Sequence, residues 1–191
     1  MKEKLKTKDL IYAGAFAAIY LVLVFVLAMA TAIVPIAFII RPLIIGIVCA
    51  PVYMLYITKV KKLGAIIILG ILVGLISFSS IYSFAFSVVF AILAALVAKS
   101  GNFKSKSRMK ISFWVFNLNV IGHYLILLYA KPQYIAMCET YSGAEYAQTM
   151  DTLTPWWIIF VLIGLAVIGA IIGTAFSDKM MKKHFEKSGL V

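Results

Sequence analysis

Residues 59–110 read KVKK LGAIIILGILVGLISFSSIYSFAFSVVFAILAALVA KSGNFKSKSRMK, which is an uncharged stretch of thirty-six residues between two basic clusters. One membrane-spanning helix needs roughly 20 apolar residues, so this stretch is long for one crossing and short for two. Basic residues concentrate on the cytoplasmic side of a membrane, and a single crossing would place the two clusters on opposite sides. We therefore predict two helices, at 63–78 and 84–98, that turn at residues 78–83.

The rest of the chain repeats this alternation of basic clusters and apolar stretches. Sixteen of the eighteen Lys and Arg residues lie at 2–8, 59–62, 99–110 and 179–187. Three of the seven acidic residues, Glu139, Glu145 and Asp151, lie together in a polar segment without a basic cluster. The positive-inside rule then predicts that both chain termini are cytoplasmic and that residues 131–154 form an outer loop.

The remaining spans follow from the same charge map. Residues 111–130 and 155–177 each supply one crossing, and residues 10–58 contain a single charge, so they must hold two crossings. The sequence therefore predicts an all-α integral membrane protein, a compact bundle of six transmembrane helices forming one domain over residues 1–191. The predicted helices are 10–30, 35–58, 63–78, 84–98, 111–130 and 155–177.

The composition supports a membrane protein rather than a nucleic-acid-binding protein. Apolar residues make up 64% of the chain, charged residues 13%, and the mean hydropathy is +1.05. Soluble domains carry about 25% charged residues. Because the net charge of +11 flanks apolar spans, orientation and contact with anionic lipid of the bilayer explain it better than nucleic acid does.

Motifs for self-powered transport and for catalysis are absent from the sequence. Every Asp and Glu lies outside the predicted spans, whereas ion-coupled transporters generally keep carboxylates within the membrane. The chain lacks G-x-x-x-x-G-K-[ST], H-E-x-x-H and G-x-S-x-G, and His123 and His184 are predicted on opposite sides. We expect no enzymatic activity, no cofactor and no metal site, and we expect any pumping to be powered by a partner.

Arg41 is the only charge inside a predicted span, some six residues from the outer end of the second helix. A lone charge within the membrane is a candidate for function. Six residues rise by only about 9 Å, so the long side chain is also able to snorkel to the outer headgroups. Pro42 disfavours α-helical backbone angles at Arg41, which predicts a break in the helix and favours a binding role slightly.

Other polar residues are candidates for the same outward-facing pocket. Asn119 and His123 are four residues apart and share a face of the fifth helix, whereas Asn117 points elsewhere. Hydrogen bonding between helices is the commoner use of such side chains, and an interfacial aromatic belt is the alternative use of Trp156. The candidate substrate-binding residues are Arg41, Ser79, Tyr82, Asn119, His123, Glu139, Tyr141 and Trp156.

The first helix carries small residues at helical spacing near its predicted cytoplasmic end. In residues 12–19, YAGAFAAI, Ala13 precedes Ala17 by four residues and Gly14 precedes Ala18 by four. Such spacing forms a flat stripe that lets another helix approach closely. The same spacing recurs in other predicted helices, where most such stripes pack the bundle itself.

The chain resembles an S component. It shares six predicted helices, cytoplasmic termini and a small-residue stripe on the first helix, and it lacks an ATPase motif and an intramembrane carboxylate. S components are the substrate-binding membrane subunits of energy-coupling factor (ECF) transporters. More narrowly, residues 59–64 (KVKKLG), 143–156 (GAEYAQTMDTLTPW) and 182–187 (KKHFEK) are similar to the Trep_Strep group of S components.

This resemblance implies a plasma-membrane subunit that captures a small micronutrient, which is a vitamin, a precursor or a metal-related compound. Its implied partners are a coupling transmembrane subunit, faced by Ala13, Gly14, Ala17 and Ala18, and two cytoplasmic ATPase subunits. Two alternatives stay open: a self-sufficient homo-oligomeric channel or facilitator, and a ligand-free accessory subunit. The substrate also stays open, because Arg41 favours an anion and the acidic outer loop favours a cation.

Overall fold

The structure is a computed structural model that describes residues 7–76 and 80–181, and within those ranges it is helical without strands. The helices are α1 (Thr7–Ala32), α2 (Pro35–Val60), α3 (Leu63–Ile76), α4 (Ile81–Ser100), α5 (Lys106–Asn117), α6 (Ile126–Tyr129), α7 (Lys131–Ser142), α8 (Ala144–Leu153) and α9 (Ile158–Met180). A 3₁₀ segment, Leu118–Leu125, joins α5 to α6 as one continuous rod.

Five of these rods are long and apolar enough to cross a membrane, namely Leu10–Ala32, Pro35–Val60, Ile81–Ser100, Lys106–Tyr129 and Ile158–Met180. The described part of α3 is apolar but has 14 residues. That corresponds to about 21 Å, against a hydrocarbon core of about 30 Å. The all-α, multi-pass membrane fold is confirmed, whereas six complete crossings and cytoplasmic termini stay predictions.

Two helices begin earlier than the sequence predicts, because serine side chains cap them. Ser80 accepts a hydrogen bond of 3.1 Å from the backbone N–H of Ser83, and α4 begins at Ile81 instead of residue 84. Ser105 accepts from the backbone N–H of Arg108, and α5 begins at Lys106 instead of residue 111. A serine oxygen in this position satisfies a backbone N–H that the first turn leaves unpaired.

The alternating helix directions place residues 59–62, 99–110 and Lys179 at one end of the bundle, which we call the basic end. An ion pair between Lys110 and Asp178 joins the start of α5 to the end of α9 there. At the opposite end, residues 131–153 form α7 and α8, which we call the cap, instead of the predicted loop. Gly143, with φ at 90°, makes the turn between the two cap helices.

Helix α2 lies at the centre, and glycine residues bring its backbone against α9. A Cβ atom on Gly169 would lie 2.4 Å from the carbonyl oxygen of Leu43, and one on Gly173 would lie 2.2 Å from that of Gly46. No side chain fits at these distances. Small residues therefore allow the two backbones to touch, as expected for helices packed within a membrane.

The predicted break at Pro42 is absent, because α2 continues through this residue. Proline lacks an N–H group and so leaves the carbonyl of Phe38, four residues earlier, without its helical donor. The hydroxyl of Tyr124 donates a hydrogen bond of 2.7 Å to that carbonyl oxygen. A partner from the neighbouring 3₁₀ segment thus satisfies the freed backbone group, and the helix does not need to unwind.

The small residues of α1 divide between two faces. Ala13 and Ala17 are buried in the core, on the same face as Tyr20 and Val24. Gly14 and Ala18 lie on the exposed face. This corrects the expectation that all four face a partner subunit: Ala13 and Ala17 pack within the bundle, and a partner approaching here would meet Gly14 and Ala18.

Candidate functional site

A cavity of about 210 Å³ lies between α1, α2, α3, α4 and the 3₁₀ segment. Its walls come from the last turns of α1 and α3 and from the first turns of α2 and α4. Because consecutive helices run in opposite directions, these turns meet in the half of the bundle remote from the basic end. The cavity is lined by Tyr20, Val24, Phe25, Ala28, Met29, Arg41, Ile45, Val73, Gly74, Ile76, Ser83, Ser87, Asn119, Val120, His123 and Tyr124.

Arg41 lies within the bundle and lines this cavity, with 6% of the residue exposed. Its Nε atom donates a hydrogen bond of 2.6 Å to Oγ1 of Thr31, and its Cζ atom lies 4.5 Å from the ring centroid of Phe38. The Thr31 hydroxyl in turn donates to the carbonyl oxygen of Leu27 at 2.7 Å. The side chain is thus held between α1 and α2, which favours the binding interpretation over snorkelling.

The guanidinium group of Arg41 retains unused hydrogen-bonding capacity. Over residues 7–76 and 80–181, Nε is the only one of its three nitrogens with a protein hydrogen-bond partner. Within the same ranges, no carboxylate forms an ion pair with it. The two terminal nitrogens form a planar fork that suits two oxygen atoms of an anion.

The 3₁₀ segment supplies the second polar part of the cavity. Residues three apart eclipse each other in 3₁₀ geometry, so Val120 and His123 form the centre of the lining face, with Asn119 and Tyr124 beside them. Asn119 and His123 both line the cavity, although 3₁₀ geometry does not place residues four apart on one face as the α-helical spacing predicted. Asn117 points elsewhere and donates a hydrogen bond of 2.8 Å to the carbonyl oxygen of Ala166 in α9.

Two serines of α4 also line the cavity, and the sequence analysis did not single them out. Ser83 and Ser87 are four residues apart and therefore share a face of the helix. The Ser87 hydroxyl donates to the carbonyl oxygen of Gly70 at 3.0 Å, so it also joins α4 to α3. The sequence feature that could have identified them is a pair of hydroxyl residues at helical spacing in an otherwise apolar span.

Four predicted site residues lie away from the cavity. Tyr82 is exposed and packs its ring against Tyr129 at 5.4 Å, and Glu139, Tyr141 and Trp156 lie on the outer surface. The physical reason for the cap residues is helical geometry, because a helix presents only one face to the bundle, whereas a loop presents any residue. Ser79, the remaining candidate, lies outside the described residues.

The inner face of the cap lies over the first turns of α2. The ring of Tyr134 lies 6.1 Å from that of Phe38, and the hydroxyl of Tyr146 donates to the carbonyl oxygen of Ala32 at 2.8 Å. Burial raises the pKa values of Tyr134, Cys138 and Tyr146 above their ordinary values, so these groups are neutral at pH 7. These three side chains of the inner face therefore add no negative charge beside Arg41.

An ion pair ties the two ends of the cap together. Nζ of Lys131, at the start of α7, lies 2.8 Å from a carboxylate oxygen of Asp151, near the end of α8. The same ammonium group donates to the backbone carbonyl oxygen of Asp151 at 2.9 Å. Both partners are partly exposed, so we expect the pair to orient the cap helices more than to stabilise the fold.

Within the described residues, five helices are long and apolar enough to cross a membrane, and four of them line a largely apolar cavity, which defines a multi-pass integral membrane protein. Within this class, the chain belongs to the Trep_Strep family, described as hypothetical bacterial integral membrane proteins, whose family model matches residues 7–187. No curated protein and no solved structure matches the chain significantly. The Trep_Strep part of the resemblance is thereby confirmed, and the link to ECF S components stays a prediction.

Proposed function

We propose that the protein is the substrate-capture subunit of an ECF-type importer in the plasma membrane and binds a small molecule in the Arg41 cavity. The observation that carries this proposal is a buried cation at a cavity, without a carboxylate partner among the described residues. An unpaired buried charge is costly. A ligand that supplies the opposite charge offsets that cost, and so explains why the residue is an arginine.

The location of the cavity supports capture from one side of the membrane over conduction. The cavity lies in the cap half, which the charge map places on the outer side. Toward the basic end, the side chains of Tyr53, Tyr56, Phe113 and Phe116 are fully buried and fill the interior of the bundle. A channel or facilitator needs a continuous path, so this packing favours the capture subunit over the self-sufficient alternative.

The charges around the cavity support an external source of energy. The acidic residues with described side chains are Glu139, Glu145, Asp151 and Asp178, and none of them lines the cavity. A transporter coupled to protons or sodium generally uses a carboxylate inside the membrane. Partner ATPases, acting through a coupling membrane subunit, are therefore the proposed source of work.

The exposed pair Gly14 and Ala18 is the proposed contact for the coupling subunit. The pair lies near the basic end of α1, on the side where cytoplasmic ATPases would bind. Without bulky side chains, this face admits another helix at short distance. Ala13 and Ala17 are excluded from this role because they are buried within the chain.

Affinity purification from native membranes tests the proposal. The tagged wild-type protein is expected to retain one further membrane subunit and two ATPase subunits. Gly14→Trp and Ala18→Trp should reduce their recovery at least tenfold, because an indole blocks close helix approach. Ala30→Trp is the matched control, since Ala30 is exposed on the same helix at the cap end.

Two results would contradict the proposal. The first is recovery of the wild-type protein without any ATPase. The second is ligand-independent ion flux through the purified protein in liposomes, which would favour the channel instead. Size-exclusion profiles of all variants should match that of the wild type, so that misfolding is not mistaken for a lost interface.

A further inference from the structure

We infer that the cavity takes a small monoanionic molecule with one acidic group on an apolar body, and that this molecule reaches Arg41 sideways, between α1 and α3. This inference names the substrate class of the proposed function, and its transport role rests on that proposal. Four observations carry it: the division of the lining by helix, the single free charge, the volume, and the exposed residues at one edge.

The lining divides by helix into an apolar part and a polar part. Helix α1 contributes Val24, Phe25, Ala28, Met29 and the ring of Tyr20, whose hydroxyl is the one polar group of this part, and α3 contributes Val73, Gly74 and Ile76. The other helices add Ile45, Val120 and Tyr124 and also supply the charged, amide, imidazole and serine side chains: Arg41 from α2, Ser83 and Ser87 from α4, and Asn119 and His123 from the 3₁₀ segment. A ligand that fills this space meets mostly hydrocarbon on one side and most of the hydrogen-bonding groups on the other.

The charge of the site matches a ligand with a single negative charge. Among the described residues that line the cavity, Arg41 is the one with a permanent charge, and Thr31 occupies only its Nε atom. Tyr134 and Tyr146 of the cap are neutral at pH 7, because the ordinary pKa of a phenol lies well above 7 and burial raises it further. A carboxylate, with two oxygens in one plane, matches the remaining fork of the guanidinium group.

The volume limits the ligand to a small molecule. A cavity of about 210 Å³ has room for about seven molecules of liquid water. Pockets for drug-sized ligands measure about 300–1,000 Å³. The ligand therefore has the size of a small aromatic or branched aliphatic acid, and a charged polar body such as a sugar phosphate would lack partners along α1 and α3.

The edge of the cavity between α1 and α3 reaches the outside of the bundle. Phe25, Met29 and Ile76 line the cavity, yet they are 56%, 58% and 48% exposed, respectively. In a membrane this surface faces hydrocarbon, because the outer turns of both helices are apolar apart from Thr31, which is buried. On the other side of Arg41, Tyr134 and Tyr146 of the cap pack against α2 and the end of α1. Among the described residues, the lateral path is therefore the open one.

A fatty acid or an anionic lipid offers the same chemistry of an acidic group on an apolar body. The test must therefore separate a free small acid from a membrane lipid. The full-length protein is purified in detergent and freed of bound lipid. Binding of benzoate, phenylacetate, 4-methylpentanoate and hexanoate is then measured by equilibrium dialysis, each beside its neutral amide.

The expected result is that at least one acid binds and that its amide binds at least tenfold more weakly. Arg41→Gln should weaken binding of that acid at least tenfold, whereas Arg108→Gln, at an exposed arginine of the basic end, should leave it unchanged. If no acid binds more tightly than its amide, the inference is overturned. If only hexadecanoate or phosphatidylglycerol binds in an Arg41-dependent way, the occupant is a lipid and the small-ligand assignment is overturned.

A pair of variants on α1 tests the apolar part and the lateral path without touching Arg41. Ala28→Phe places a ring in the cavity, and Ala30→Phe places the same ring on the exposed face of the same helix. The first should weaken acid binding at least tenfold, and the second should not. Equal binding by both variants would overturn the inference. Co-purification of the ATPases is independent of these measurements, so a failed binding test and a failed transport proposal remain distinguishable.

Discussion

The hydroxyl of Tyr124 donates a hydrogen bond of 2.7 Å to the carbonyl oxygen of Phe38, the group that Pro42 leaves without a helical donor. The two rings also pack edge to face, with centroids 4.8 Å apart. The Phe38 ring also contacts Arg41, whose Cζ atom lies 4.5 Å from the ring centroid. One bond therefore joins the 3₁₀ segment to the turn of α2 that positions the charge of the cavity.

Replacing Tyr124 with Phe should lower the free energy of unfolding by about 1–3 kcal/mol, because it leaves a buried carbonyl unsatisfied. Denaturation of the purified protein in detergent measures this effect. Tyr141→Phe is the control, since Tyr141 is exposed on the cap, and its change should stay within about 0.5 kcal/mol. Equal stability of the two variants would mean that Phe38 does not depend on this donor.

Thr31 is expected to be the residue that positions Arg41. Thr31→Val keeps the shape of the side chain but removes the oxygen that accepts from Nε at 2.6 Å. The loss should be about 1.5–3 kcal/mol of unfolding free energy, the value for a hydrogen bond to a charged group. Thr31→Ser retains the hydroxyl and should lose clearly less. Thermal unfolding of the three proteins compares them, and a Ser variant as unstable as the Val variant would contradict the role.

The contact between α2 and α9 should be sensitive to a single methyl group. Gly169→Ala places a Cβ atom 2.4 Å from a backbone oxygen of Leu43, so one helix must shift, at a cost of about 1–3 kcal/mol. Gly164→Ala on the same helix meets nothing within 4 Å and should be neutral or stabilising by up to about 1 kcal/mol. Chemical denaturation measures both. A stable Gly169→Ala protein would argue against this backbone contact.

The sidedness of the bundle is tested by labelling single cysteines in a background without Cys49 and Cys138. Ser107→Cys at the basic end and Ser142→Cys in the cap are both exposed. We expect an impermeant maleimide to label residue 142 in intact cells and residue 107 only after the membrane is opened, because basic clusters stay inside. Labelling of both residues from the same side would mean that the chain crosses the membrane one time fewer than predicted, and the crossing by α3 would be the first to test again.

The thiol of Cys138 is expected to report on closure of the cap. Burial raises its pKa, so the reactive thiolate is rarer at pH 8 than in an unfolded chain. In a Cys49→Ala background, alkylation by iodoacetamide should therefore be slower in the folded protein than in the denatured protein, and its rate should still be rising above pH 9. Lys131→Ala, which removes the ion pair to Asp151, should speed alkylation by loosening the cap. Equal rates in folded and denatured protein would contradict a closed cap.

Helix boundaries were predictable where composition decided them and not where side-chain caps did. The apolar spans of α1, α2 and α9 follow from hydropathy within a few residues, whereas Ser80 starts α4 within the predicted turn and Ser105 extends α5 into the basic cluster. The cap was missed because its residues alternate polar and apolar types without a long apolar run. Its helices form because Tyr134, Ala147 and Met150 find a surface to pack against.

By itself, the sequence determined that this is a multi-pass helical membrane protein and that one charge, Arg41, lies within it. Both conclusions rest on local properties, because the bilayer requires long apolar helices and makes each intramembrane charge conspicuous. Only the tertiary structure decided that Arg41 meets Thr31, that Asn119 and His123 face its cavity, and that Asn117 does not. These contacts depend on how each helix is rotated and how closely it approaches its neighbours. Packing between residues far apart in the chain, such as Gly169 against Leu43, determines both the rotation and the distance.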